Sequence, residues 1–82
     1  MSNAGTANQT KMRRFVLDRQ EDVSGTSGTG VVAEGVLFSS GHVALTWLSP
    51  LWTVSAYPSM EVVRHIHGHE GRTKVRWLDV EE

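Results

Sequence analysis

From Gly35 to Met60 the chain reads GVLFSSGHVALTWLSPLWTVSAYPSM, with no Asp, Glu, Lys or Arg, although these make up 21% of all residues. The stretch holds two of the three tryptophans, one of the two phenylalanines and the single tyrosine. Apolar residues alternate in it with small polar ones, the period of a strand with one buried face. Ser39-Ser40-Gly41 interrupts the alternation where a tight hairpin fits, with Gly at the left-handed position. Ser49-Pro50 breaks it again. The pattern predicts a three-strand meander that supplies most of a core: Val31 to Phe38, His42 to Leu48, and Leu51 to Tyr57. Val43, Leu45 and Trp47 share one face of the middle strand. Trp47 and Trp52 flank the Ser-Pro turn at a spacing that lets them stack across it.

Around this meander the rest falls into place. Arg13 to Gln20 has the β-branched and aromatic content of a strand, with Phe15 and Leu17 on one face and Val16 and Asp18 on the other. Glu21 to Gly30 is a loop rich in Gly, Ser and Thr. Pro58-Ser59 announces a short helix: Ser59 suits the N-cap, Glu61 complements the helix N-terminus, and Gly68 suits the position just past its end. Thr73 to Val80 reads as a last strand, Val75 and Trp77 facing one way, Lys74 and Arg76 the other. The element order β-β-β-β-α-β is expected to form a small five-stranded SH3-like barrel whose first and last strands pair. The alternative is an open α+β sheet with the helix on one face.

Length and composition set limits on function. The 82 residues make one small domain, assigned to residues 13–82, and the polar segment 1–12 reads as a disordered leader. A chain this size buries roughly 60–65% of its unfolded surface, enough to fold and close to the stability threshold. There is no cysteine, hence no disulfide framework and no thiolate metal site, which favours a cytoplasmic location. No apolar run is long enough for a membrane span. A formal charge of −1 argues against strong nonspecific binding to phosphate backbones.

Four features qualify as candidate sites. The Gly-rich loop, EDVSGTSGTG, has the backbone freedom of a ligand-cradling loop, and Ser27, Gly28 and Thr29 are its candidate contacts. It lacks the Lys-Ser or Lys-Thr of a P-loop and the GxGxxG spacing, and Glu21 and Asp22 repel phosphate. The segment RHIHGHEG carries His65, His67 and His69, imidazoles suited to zinc if one element presented all three. Gly68 stands against that, because a helix ending there separates His67 from His69. The structural reading gives His65 an ion pair with Glu61 and lets His67 and His69 satisfy backbone carbonyls. Arg72, Lys74 and Arg76 form a basic row that can follow a phosphate backbone, although Glu70, Asp79, Glu81 and Glu82 offset its charge. Catalysis finds no support: no serine sits in GxSxG, and no paired carboxylates imply an acid and a base. Leu48, Leu51 and Trp52 cluster where a turn should be polar, which marks a partner-binding surface and a route to a homodimer.

The segments FVLDRQEDVSGTSGTGVVAEGVLFSSGHVALTWL and IHGHEGRTKVRWLD resemble a group of small uncharacterised proteins from actinobacteria, haloarchaea and their viruses. The resemblance covers most of Arg13 to Asp79. Where this chain has FSSG the group has FSDG, and where it has SPLWTVSAYP the group is polar. The resemblance brings no established activity. It implies a stand-alone cytoplasmic module of mobile-element origin whose loop, hairpin and HIHGHEG turn make one surface. The expected function is therefore a noncatalytic interaction module with a protein or nucleic-acid partner, through Ser27, Gly28, Thr29, Trp52, His67, His69, Arg72, Lys74 and Arg76. The alternative is a metal- or small-ligand-binding protein using the histidines.

Overall fold

A computed structural model describes residues 11–20 and 29–80, apart from the side chain of His69. In chain order the elements are β1 (Arg13–Arg19), β2 (Gly30–Leu37), β3 (Val43–Trp47), β4 (Val54–Tyr57), α1 (Met60–His67), a single 3₁₀ turn (His69–Gly71) and β5 (Thr73–Trp77). The strands form one antiparallel sheet in the order β4-β3-β2-β1-β5. The expected element order, strand count and pairing of first with last strand are all present. The sheet does not close. β4 and β5 stand at opposite edges, so the architecture is the open sheet with a helix on one face, not the SH3-like barrel.

Period-two alternation decides which residues meet. Cross-strand rows bring Phe15, Gly35, Leu45 and Ser55 together, and beside them Leu17, Ala33 and Trp47. Their side chains share the face that α1 covers. Phe15, Leu17, Ala33, Val43 and Leu45 are buried there with Met60 and Val63 of the helix, and Trp47, Tyr57, Val75 and Trp77 pack around them. Full burial of a side chain such as Leu or Phe is worth about 1.5–3 kcal/mol, so this cluster is what holds the helix on the sheet. Gly35 sits beneath the Phe15 ring, and a Cβ built there would lie 2.3 Å from Phe15 Cζ. The same ring meets Trp77 edge-on at 5.5 Å, which ties β2, β1 and β5 through one aromatic.

The helix begins where the sequence places it. The Ser59 side chain accepts a hydrogen bond from the Val62 N–H at 3.2 Å, satisfying one of the donors left open at a helix start. Its end differs from expectation. Gly68 keeps right-handed helical angles, φ −74° and ψ −23°, and the left-handed reversal falls instead on Glu70 (φ 57°) and Gly71 (φ 92°). The expected ion pair between Glu61 and His65 is not formed.

Two local irregularities escape the alternation. The β1–β2 register shifts between Leu17 and Asp18, leaving Val32 as a bulge. The fourth strand starts at Val54, because Ser49 to Trp52 form a turn in which Trp52 N–H donates to the Ser49 carbonyl at 3.1 Å. Trp52 itself has φ 48°, and Trp47 and Trp52 do not stack. Pro50 and the left-handed Trp52 hold the second ring away from the first.

At the far end of the sheet β1 is tied to the segment after β5. The Arg14 guanidinium meets the Asp79 carboxylate at 2.8 and 3.0 Å, and the Arg14 N–H donates to it at 2.8 Å. The side-chain hydrogen bond from Arg14 is the largest influence, the backbone one next, and they hold the Asp79 carboxyl down to about 2. A depressed carboxyl pKa stabilises the fold above the unfolded value, near 4, and loses that contribution as pH falls toward 2. The melting temperature of Asp79→Asn is therefore expected to lie below wild type at pH 7 and to converge with it between about pH 4 and 2. The gap narrows at high salt, since the pair is solvent-exposed.

Candidate functional site

The register gathers the segments that carry chemistry. Arg19, the last residue of β1, pairs with Gly30 on one side and Thr73 on the other. The Leu48 N–H donates to the Val32 carbonyl at 3.0 Å, and the Thr73 N–H to the Gly68 carbonyl at 3.0 Å. Both described ends of the β1–β2 loop, the turn between β3 and β4, and the turn from α1 into β5 thus lie at one end of the sheet. The Ser39–Gly41 hairpin, expected on the same surface, lies at the other end, where Leu37 pairs with Arg13.

The candidate residues fall as follows. Ser27 and Gly28 lie outside the described residues, and Thr29 is exposed at the mouth of β2. Trp52 is 56% exposed beside Leu51 at 82% and Val54 at 71%. The exposed Arg72 reaches β1 through its carbonyl, which accepts from the Gln20 N–H at 2.6 Å. Lys74 and Arg76 run away from this end along β5, on the face opposite α1.

His67 has a packing role. Its Nε2 is 2.8 Å from the Tyr57 hydroxyl, and its ring stands edge-on to Trp47 at 4.8 Å and to Tyr57 at 5.5 Å. The Tyr57 phenol is thus one partner of this ring. This contact clamps the last turn of α1 onto β3 and β4. His65 points to solvent. Among the described residues no three His, Asp or Glu side chains are grouped to hold a metal, a set that leaves out the His69 side chain.

The basic row is interrupted in space as well as in sequence. Arg76 Nε lies 3.4 Å from Asp18 Oδ2 on the next strand, and Glu34 is exposed two strands in. A phosphate backbone crossing that face would meet both signs of charge.

Two features have no counterpart in the sequence reading. The face opposite α1 is a shallow apolar groove of about 460 Å³, lined by Arg14, Glu34, Val36, Ala44, Thr46, Val54 and Leu78. Val16, 7% exposed, lies on the same face. Alternation signalled it, because the residues of β2, β3 and β4 that face away from the core are, apart from Glu34, still small or apolar. At the loop end, the Thr73 hydroxyl and Arg19 Nε are buried without a hydrogen-bond partner among the described residues, an uncommon state for native polar atoms.

The profile of the Acb5 phage protein family matches residues 12–79. The chain belongs to that family. The match runs from just before β1 to Asp79, and so takes in the sheet, the helix and the Arg14–Asp79 tie. It supports the viral side of the resemblance drawn from the sequence. Comparison with curated proteins and with solved structures returns no match.

Proposed function

We propose that this phage-family protein is a noncatalytic interaction module that works in the host cytoplasm. It binds a protein partner through the loop end of its sheet. The observation that carries the reading is Trp52. A left-handed backbone disfavours any residue with a Cβ by about 1–2 kcal/mol, and Gly or Asn would suit that turn better. The side chain gains little in return, being 56% exposed with no aromatic partner among the described residues. A bulky residue kept in a strained, exposed turn is accounted for by what it touches outside the molecule. Leu48, Leu51 and Val54 extend the same apolar surface. A protein partner is favoured over nucleic acid because the basic row is interleaved with Asp18 and Glu34, and the net charge is −1.

The test separates stability from binding. Trp52→Gly is expected to leave the melting temperature unchanged or to raise it by a few degrees, while abolishing retention of partner proteins when the tagged chain is purified from phage-infected cells. An identical set of retained proteins with wild type and variant would overturn the proposal.

The ligand-binding alternative rests on the histidines. His67 Nε2 is already engaged by Tyr57 at 2.8 Å, so a metal taking that nitrogen has to break a packed contact. Zinc is accordingly expected to leave the melting temperature unchanged. A rise of several degrees that disappears in a His67→Ala, His69→Ala double variant would establish the alternative.

A further inference from the structure

The two edges of the sheet are guarded differently. Sheet edges carry unpaired N–H and C=O groups, and soluble proteins commonly protect them with charge. β5 has Lys74 and Arg76, and Arg72 just before it. β4 has no charged residue, and none occurs anywhere from Gly35 to Met60.

The hydrogen-bond alternation fixes what β4 offers. The Thr53 carbonyl turns toward β3, where it accepts from the Trp47 N–H at 3.1 Å. By the same alternation Ser55 and Tyr57 face β3, which leaves the N–H and C=O groups of Val54 and Ala56 directed outward. Two outward residues separated by one form a self-complementary set. If a second β4 runs antiparallel with a two-fold axis at Ser55, Val54 of each copy meets Ala56 of the other and four backbone hydrogen bonds close. A two-fold contact sets like against like, so a charged edge would repel itself, and this one does not.

We infer that the partner seated on this edge is a second copy of the chain, joined β4 to β4 into one continuous ten-stranded sheet. The inference rests on the reading of the exposed apolar end as a binding surface and names one occupant of it. In that register Trp52 lies opposite Pro58 of the second copy. The proline that ends β4 therefore falls at the margin of the pairing, where no N–H is required. Leu51, Trp52 and Val54 expose on the order of 400 Å² of side chain per copy, about half of the ~800 Å² a partner contributes to an interface of standard size. The contact is small for a stable dimer, and the association is accordingly expected to depend on concentration. Face-to-face pairing through the groove is disfavoured, because it buries Glu34, which makes no ion pair among the described residues.

Two measurements test this. Sedimentation of the full chain from micromolar to millimolar concentration is expected to show its mass rising from 9.1 kDa toward twice that value. Val54→Lys, at an exposed position that leaves the core intact, is expected to weaken the association about tenfold or more. Facing residues in a non-hydrogen-bonded pair have Cα atoms about 4.5 Å apart, within the range of a disulfide. The chain has no other cysteine, so Ser55→Cys is expected to cross-link under mild oxidation, and Lys74→Cys on the other edge is not. A monomer throughout the range overturns the inference. So does a dimer indifferent to Val54→Lys but broken by Leu78→Lys, which puts the second copy on the open face. A monomeric wild type with Trp52-dependent capture of other proteins refutes this inference alone. A dimer with no Trp52-dependent capture of other proteins refutes only the wider reading.

Discussion

Phe15→Ala is expected to lower the unfolding free energy by about 3–5 kcal/mol, read as a shift in the denaturation midpoint. The ring is 1% exposed, lies over Gly35, and meets Trp77 at 5.5 Å, so its removal opens a cavity where three strands and the helix converge. Small domains hold only about 5–15 kcal/mol in total, and a domain of this size sits at the lower end. The variant is therefore expected to be substantially unfolded at 37 °C. A loss below 1 kcal/mol would mean that Phe15 is not central to the core.

Gly35→Ala has the second largest expected effect, and it works in the opposite sense, by adding one carbon. Its Cβ would stand 2.3 Å from Phe15 Cζ and 2.7 and 2.9 Å from the neighbouring ring atoms. The ring is hemmed in and cannot swing aside, so strand or ring must shift, at about 1–3 kcal/mol. The same substitution in a Phe15→Leu background meets no ring, and its cost is expected to fall by at least half. That non-additivity identifies the contact itself, because a general intolerance of β2 to alanine would cost the same in both backgrounds.

Much of this fold is legible in the sequence because alternation and capping are local. Phe15 and Leu17 on one face of β1, Val43 and Leu45 on one face of β3, and Ser59 at the start of α1 all follow from neighbours within a few residues. What was illegible depends on distant parts of the chain. Closure into a barrel turns on whether β4 and β5 meet, which nothing in either strand declares. The slip at Val32 is one residue in a run of valines, so composition leaves it invisible. Trp52 is among the last residue types expected at positive φ, and the sequence therefore runs the fourth strand through it. Similarly, Gly68 is a plausible reversal point, and the actual reversal falls on Glu70 and Gly71. For the site, the apolar Leu48 to Trp52 turn stands out in the sequence. The pairing of His67 with Tyr57 does not, because it joins a helix end to a strand that precedes it.

The path from β4 to β5 also has a kinetic side. β1 to β4 form by successive hairpins between neighbours in the chain, whereas β5 reaches β1 only after α1 has crossed the sheet, pairing Phe15 with Trp77. Contacts between such distant residues carry the largest loop-closure cost and tend to form late. Until then the outer flank of β1 is open, and it presents Phe15, Val16 and Leu17 beside unpaired backbone groups. A partly folded chain thus has two unguarded edges where the finished molecule has one. Docking of α1 is then the step that closes the window for misassociation along β1.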